Sequence, residues 1–230
     1  MPRSLGLLLV ACSFGLAVLW LQRPSLTPTS DRVAGINQPT RLPAPFVLHS
    51  RAFGWRNLLA DWLWLQYVQY FGDVAARKKS GYGLSAEYIQ AITALDPAFI
   101  FAATQANYAV AEQMGAPKEA IAILTAAAKR NPGRADALGM PGSWYLWRLA
   151  GSVAFRHLGH YRQAAAYFER AAREPGAPAV MRDNAAAFYN ASNDRERAIQ
   201  LWREFYVSAP TAQLRAEGRR RLAALGVEVP

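Results

Sequence analysis

Two histidines, His157 and His160, have the spacing in this sequence that comes nearest to a chemical site. Histidines three residues apart can reach the same metal ion, but a structural or catalytic metal site needs at least a third protein ligand. The sequence places this pair at the end of one helix and in the turn that follows, with no further candidate ligand nearby. We therefore predict no metal site at these residues.

The other reactive residue types also occur where catalysis is not expected. Cys12 lies inside an apolar N-terminal segment, and Asp61 is the one acid in an aromatic stretch, where we expect it to bond an arginine or the backbone. Asp194 and Glu196 fall at a predicted helix start, where negative charge interacts favourably with the helix dipole. The glycines at 81–83 lack the strand and helix that flank a phosphate-binding loop. We predict no catalytic residue and no cofactor, and the chain is not expected to be an enzyme.

Composition and charge indicate a folded domain with an acidic partner. Hydrophobic residues make up 52% of the 230 residues and charged residues only 18%, and the formal net charge is +10. A basic domain is attracted to anionic lipid, acidic proteins or nucleic acid. Because the basic residues are scattered over loops and the last helix without a recognition motif, nucleic acid is the least favoured of these partners. The residues expected to contact acidic lipid or an acidic partner are Arg77, Lys78, Lys79, Arg219, Arg220 and Arg221, the first three in an exposed loop.

Residues 1–22 are predicted to form a transmembrane signal anchor. The run from Leu5 to Leu21 carries no charge, and Trp20 lies near its end, where aromatic anchors occur. Two alternatives stay open: a lipoprotein whose Cys12 is lipidated, and a cleaved signal peptide. We expect a single pass in the cell inner or plasma membrane, or a thylakoid membrane. The following domain is then exported to the periplasm or lumen, although the arginines that follow the run favour the opposite orientation.

Residues 23–51 are predicted to be an extended linker. Five prolines interrupt any helix in this stretch, and serine, threonine and glycine fill much of the rest. Such a linker sets the distance between the domain and the bilayer.

The stretch from Gly151 to Ala172 predicts two helices that meet at a tight turn. Small residues at facing positions would let the two helix backbones approach closely, and aromatic side chains would fill the gaps between neighbouring hairpins. The residues that carry this pattern are Gly159, Tyr161, Ala164, Phe168, Ala171 and Pro175. In type and spacing they resemble the end of a tetratricopeptide repeat (TPR).

The pattern recurs along the chain. Helix-ending prolines at Pro97, Pro132, Pro175 and Pro210 are separated by 35, 43 and 35 residues, and an insertion at 133–142 accounts for the longer interval. The resemblance implies a repeat of about 34 residues. The predicted fold is therefore all-α: a TPR-like helical-hairpin solenoid over residues 52–226, with four hairpins and a C-terminal capping helix.

The resemblance implies a protein-binding groove lined by the first helix of each pair. Candidate groove residues, assigned by helix position, are Gln105, Asn107, Tyr108, Glu112, Trp144, Arg148, Arg182 and Tyr189. The implied function is a membrane-anchored scaffold or adaptor that binds membrane proteins and helps to assemble or stabilise a membrane complex, as bacterial assembly factors with such repeats do.

The aromatic helix predicted at 55–71 allows a second interpretation. It carries Trp55, Trp62 and Trp64 among apolar residues that cover nearly every side. Such a helix is either buried or keeps an aromatic face for the bilayer or a partner. In the alternative function, the chain is a permanent structural subunit that contacts a larger membrane complex through this helix.

Overall fold

The computed structural model of the chain describes residues 12–17, 20, 55–133 and 139–229. Residues 12–17 and 20 are helical and belong to one compact unit, and the described residues from 55 onward belong to another. Within these described residues, no helix is long and apolar enough to cross a membrane. Most of the predicted anchor and the whole predicted linker, 23–51, lie outside the described residues.

Every regular element in the described part of the chain is helical, which confirms the all-α prediction. The helices are α1 (Arg56–Gly72), α2 (Val74–Ser80), α3 (Ser85–Leu95), α4 (Ile100–Gln105) with a π-helical continuation (Ala106–Gln113), α5 (Pro117–Arg130), α6 (Ser143–Leu158), α7 (Tyr161–Arg173), α8 (Val180–Ala191), α9 (Arg195–Ser208) and α10 (Ala212–Ala223).

The helices form two rows. Helices α1, α4 with its π-helical continuation, α6 and α8 make one row, here called the first helices, and α3, α5, α7 and α9 make the other. From α5 onward, each helix packs mainly on the helices that precede and follow it in sequence. Links also run along the second row, since Gln90 of α3 bonds Glu119 of α5 at 3.3 Å, and Arg197 of α9 bonds Glu169 of α7.

The turns between the helices have identifiable local causes. Helix α6 ends at Gly159, whose φ of 65° is in the left-handed region that glycine adopts without steric cost. Helix α9 begins after Asp194, whose carboxylate accepts a hydrogen bond from the backbone N–H of Arg197 at 3.4 Å. Helix α5 begins with Pro117, which suits a first turn because its missing N–H has no partner there. These residues place the hairpin boundaries close to where the sequence predicts them.

The prediction of an exposed basic loop around Arg77 is wrong. These residues form α2, because the Asp73 carboxylate caps its start by accepting from the backbone N–H of Ala76 at 2.9 Å. The Arg77 side chain is buried, with its guanidinium 3.8 Å from the centre of the Tyr70 ring and donating to the Gly81 carbonyl. Lys78 and Lys79 remain exposed, as predicted.

The helix from Ile100 to Gln113 is not α-helical throughout. It changes to π-helical geometry at Ala106, and at its end the backbone N–H of Met114 donates to the carbonyl of Ala109, five residues earlier, at 3.0 Å. Three of the predicted groove residues, Asn107, Tyr108 and Glu112, lie on this wider turn.

The end of the array matches the predicted capping helix. Leu222 of α10 is fully buried, whereas Arg215, Arg219, Arg220 and Arg221 are exposed. Asp183 of α8 joins the last three helices, since its carboxylate accepts from the Trp202 indole of α9 at 2.8 Å and pairs with Arg221 of α10 at 3.5 Å. The helix thus covers the apolar end of the stack with a charged outer surface.

Replacing Asn131 by alanine should lower the free energy of unfolding by about 1 kcal/mol. The buried Asn131 amide donates to the carbonyls of Pro97 and Ala127, which joins the end of α5 to the turn after α3. Urea denaturation of the two purified proteins measures the difference. Asn190→Ala, at an exposed position of α8, is the matched control and should change little. Equal stability of the Asn131→Ala protein and the wild type would show that this link contributes nothing.

Candidate protein-binding surface

Side-chain contacts show that the first helices lie next to one another in chain order. The Phe71 ring of α1 is 6.0 Å from the Tyr108 ring of the π-helical segment. Arg156 of α6 bonds Asn107 of the same segment at 3.1 Å. On the other side of α6, the Phe155 and Phe188 rings are 5.0 Å apart, which joins α6 to α8. The exposed sides of these helices therefore form one continuous surface.

This surface, here called the first-helix surface, combines aromatic, basic and acidic side chains. On α6, Arg148, Ser152 and Phe155 follow one another at intervals of four and three residues, so they share one side of the helix. Its members are Gln105, Tyr108, Glu112, Arg148, Ser152, Phe155 and Arg156, all half-buried or exposed. Large aromatics and arginines are the side chains enriched where proteins bind one another.

Arg156 is the ionic link across this surface. Its guanidinium lies 3.6 Å from the Glu112 carboxylate, and the two side chains are 48% and 33% exposed. An ion pair with this degree of solvent exposure contributes little to the free energy of unfolding, about 0–1 kcal/mol. A carboxylate on a partner can therefore replace Glu112 at small cost, and Arg156 is suited to bind it through two parallel hydrogen bonds.

Arg148 is held in place by an aromatic neighbour. Its guanidinium lies 5.4 Å from the centre of the Tyr145 ring, and the Tyr145 ring in turn meets the Trp144 ring edge-on at 5.6 Å. Because stacking on a ring leaves the guanidinium N–H groups free in the plane, Arg148 can still donate to a ligand. Tyr145 thus links the predicted residues Trp144 and Arg148.

Tyr161, predicted to fill the gap between neighbouring hairpins, belongs to an aromatic cluster that also reaches the surface. The Phe155 ring is 5.3 Å from the Tyr161 ring and 5.0 Å from the Phe188 ring, and Phe155 and Tyr161 are both exposed. Phe155 lies seven residues from Arg148, which places both on one side of α6, and this spacing is the signal in the sequence for its exposure.

Two predicted groove residues lie elsewhere. Tyr189 is buried, and its hydroxyl donates to the Glu169 carboxylate of α7 at 2.9 Å. Arg182 turns toward α9, where it donates to the Ser208 hydroxyl and lies 3.8 Å from the Glu204 carboxylate. Assignment by helix position failed here because neither residue lies on the side of α8 that adjoins α6.

The Glu169 carboxylate is the centre of a buried polar network between α7, α8 and α9. It accepts from Tyr189 and pairs with Arg173 and Arg197. Burial raises the pKa of Glu169, but hydrogen bonds from Arg197 and Tyr189 and the two arginine charges outweigh burial, so the pKa lies below its ordinary value. Burial and the Glu169 carboxylate together raise the pKa of Tyr189 to about 12. The network has all its partners within the fold, which indicates a structural role.

The three arginines predicted to contact acidic lipid on α10 have intramolecular neighbours. The Arg219 guanidinium donates to the Tyr206 hydroxyl at 3.2 Å, Arg220 pairs with Glu217, and Arg221 lies 3.0 Å from Glu217. All three remain exposed to solvent.

The predicted aromatic face of α1 divides between core and surface. Trp64 is half-buried against the rings of Tyr67, Phe99 and Phe101, at 5.3–5.5 Å. Trp55 and Trp62 are 64% and 55% exposed. Asp61, expected to bond a neighbour, is exposed between them.

The two neighbouring histidines are both exposed, and His160 lies 3.1 Å from the Gln163 side-chain oxygen. In the part of the chain that the structure describes, no three His, Cys, Asp or Glu side chains lie close enough together to hold a metal ion.

The fold and the first-helix surface define an all-helical chain of consecutively packed hairpins with one continuous exposed face. Comparison with models of known protein families gives no match to this chain. Comparison with curated proteins gives no significant similarity either.

Proposed function

We propose that this chain is a membrane-anchored, TPR-like scaffold that binds a segment of another protein on its first-helix surface. In this proposal residues 1–22 anchor the chain by a single pass in an inner, plasma or thylakoid membrane. The helical domain is exported and helps to assemble or stabilise a membrane protein complex.

The observation that carries the proposal is the continuous exposed face of adjacent first helices. Tyr108 of the π-helical segment and Phe155 of the adjacent α6 offer aromatic contacts, and Arg148 and Arg156 lie on α6 with Phe155. Eight residues at about 1.5 Å each separate the two arginines by about 12 Å, roughly the length of four extended residues. An extended segment with acidic side chains flanked by apolar ones fits this arrangement.

Replacing Arg148 by glutamate should remove the bound partner. The change reverses one charge of the surface, and opposing like charges cost several kcal/mol in binding, so recovery should fall by at least about tenfold. The measurement is a crosslinking pull-down of the tagged full-length chain in mild detergent, with quantitative mass spectrometry of what is recovered. Phe155→Ala should show the same loss through its missing aromatic contact.

Lys129→Glu is the matched control for charge, because Lys129 is exposed on α5, which belongs to the row formed by α3, α5, α7 and α9. This variant should recover the partner as the wild type does. If Arg148→Glu and Lys129→Glu recover the same proteins in the same amounts, the first-helix surface is not the binding site. Circular dichroism of each variant shows whether the helical fold is retained.

A further inference from the structure

The side of α1 that faces away from α3 carries a row of five exposed apolar side chains. Their spacing of three or four residues places them along one side of the helix. We call this row the α1 outer face; it consists of Trp55, Leu58, Trp62, Leu65 and Val68. The opposite side of α1 is already buried in the core through Ala60, Leu63 and Tyr67. A helix that is apolar on both sides needs a second covering, either lipid or another protein surface.

The exposed charged residues of α1 and α2 are Arg56, Asp61, Lys78 and Lys79. Arg56 is exposed, and its guanidinium donates to the Ala94 carbonyl of α3 at 2.8 Å. Asn57, Asp61 and Gln69 are the other exposed polar residues of α1. Directly after α1, the exposed Lys78 and Lys79 on α2 supply two positive charges without an acidic partner in the helix. Aromatic and aliphatic side chains beside lysines are typical of helices that lie in a bilayer interface.

We propose that the α1 outer face contacts an anionic lipid surface, with Trp55 and Trp62 inserted at the headgroup level and Lys78 and Lys79 bound to lipid phosphates. Tryptophan is the side chain enriched at membrane interfaces, and each nearby lysine gains about 1 kcal/mol from an anionic leaflet. This inference rests on the proposed N-terminal anchor.

The position of α1 in the chain favours lipid as the occupant. Residues 22–54 separate the uncharged run from α1, and even fully extended they span roughly 110 Å. An anchored chain therefore keeps α1 within that distance of the bilayer, and this tether strengthens a weak contact because binding becomes intramolecular.

The size of the row disfavours a second copy of the chain. The row consists of five side chains, whereas a standard interface uses about 20–30 residues from each partner. A stable dimer needs about 800 Å² from each partner. The α1 outer face alone does not supply that area.

Lipid-specific quenching tests the proposal on the full-length chain reconstituted into vesicles. In a Cys12→Ser background, Leu58→Cys and Leu65→Cys each place an environment-sensitive nitrobenzoxadiazole label on the α1 outer face. Val207→Cys is the matched control, since Val207 is an equally apolar, exposed residue on α9. Brominated phospholipid should remove most of the emission from the two α1 labels and leave the Val207 label unchanged.

The lipid composition tests the role of the lysines. Quenching of the α1 labels should be stronger in vesicles that contain phosphatidylglycerol than in pure phosphatidylcholine. Lys78→Gln combined with Lys79→Gln should remove that difference. Quenching that is the same in both compositions would overturn the proposed contact of the lysines with lipid phosphates.

Two further outcomes would overturn the lipid contact itself. If the α1 labels are quenched by aqueous iodide and not by brominated lipid, the face is open to water. If neither agent quenches them, a second copy or another protein covers the face. Flotation of the same vesicles after alkaline extraction tests the anchor separately. Flotation without lipid quenching rejects only the α1 contact, whereas failure to float rejects the anchor on which it rests.

Discussion

Gly151→Leu should lower the free energy of unfolding by about 3 kcal/mol or more. A Cβ atom built at Gly151 would lie 2.9 Å from two carbon atoms of the Phe168 ring and 3.3 Å from the Ala164 carbonyl oxygen. Phe168 is buried and its ring stacks on Phe188 at 5.2 Å, so it cannot move without disturbing α8. Overpacking of this kind typically costs 1–3 kcal/mol, and here the backbone contact forces α6 and α7 apart as well.

Thermal and urea denaturation of the purified variant measure this effect. Gly72→Leu is the matched control, because a Cβ at Gly72 meets nothing within 4 Å. Gly151→Ala separates the causes: alanine favours the helix by about 1 kcal/mol, so any net loss of stability comes from contact with Phe168. Wild-type stability of the Gly151→Leu protein would show that α6 and α7 do not pack as described.

Glu169→Ala should destabilise the chain by about 2–3 kcal/mol at neutral pH. The substitution leaves the Tyr189 hydroxyl and the Arg197 guanidinium without the carboxylate that satisfies both. Removing one member of a fully buried ion pair costs about 3–5 kcal/mol. We expect a smaller loss for Glu169→Ala because Arg173 is largely exposed, so water screens its interaction with Glu169. Glu196→Gln, at an exposed position on α9, should change stability by less than about 0.5 kcal/mol.

The contribution of Glu169 should also depend on pH. Because the pKa of Glu169 is lower in the folded chain than its ordinary value, the ionised carboxylate stabilises the fold. That stabilisation is fully present above the unfolded pKa of about 4.3 and is lost as the pH falls through the folded value. The stability gap between the wild type and Glu169→Gln should therefore be constant near pH 7 and should narrow below about pH 4. A gap that widens in acid would contradict the described network.

The hairpin from Ser143 to Arg173 shows how much of this fold is predictable from local patterns. The sequence predicts helices over 143–158 and 161–173, and these are the bounds of α6 and α7. A left-handed glycine ends the first helix, and the four-and-three spacing of small and aromatic residues marks the buried side of the second. Both signals depend only on neighbouring residues. The same kinds of signal miss α2, whose start depends on the Asp73 side chain capping a turn in an otherwise basic stretch.

The candidate site was less predictable than the helices that carry it. Tyr189 has the helix position of a surface residue, yet it is buried because Glu169, 20 residues earlier, lies against it. Phe155 has the spacing of a packing residue, yet its ring lies partly exposed between Tyr161 and Phe188. Helical periodicity tells which side of its own helix a residue is on, but not which neighbouring helix covers that side.

The sequence alone determined the all-helical class, the hairpin boundaries, the charged outer surface of the last helix and the apolar character of α1. These properties follow from periodicity, capping residues and composition, which act over one or two helical turns. Only the tertiary structure decided that α1 buries one apolar side and exposes the other, and that Arg156 and Glu112 meet across two helices. Those outcomes depend on contacts between residues tens of positions apart, because burial is a property of the packed array and not of any one helix.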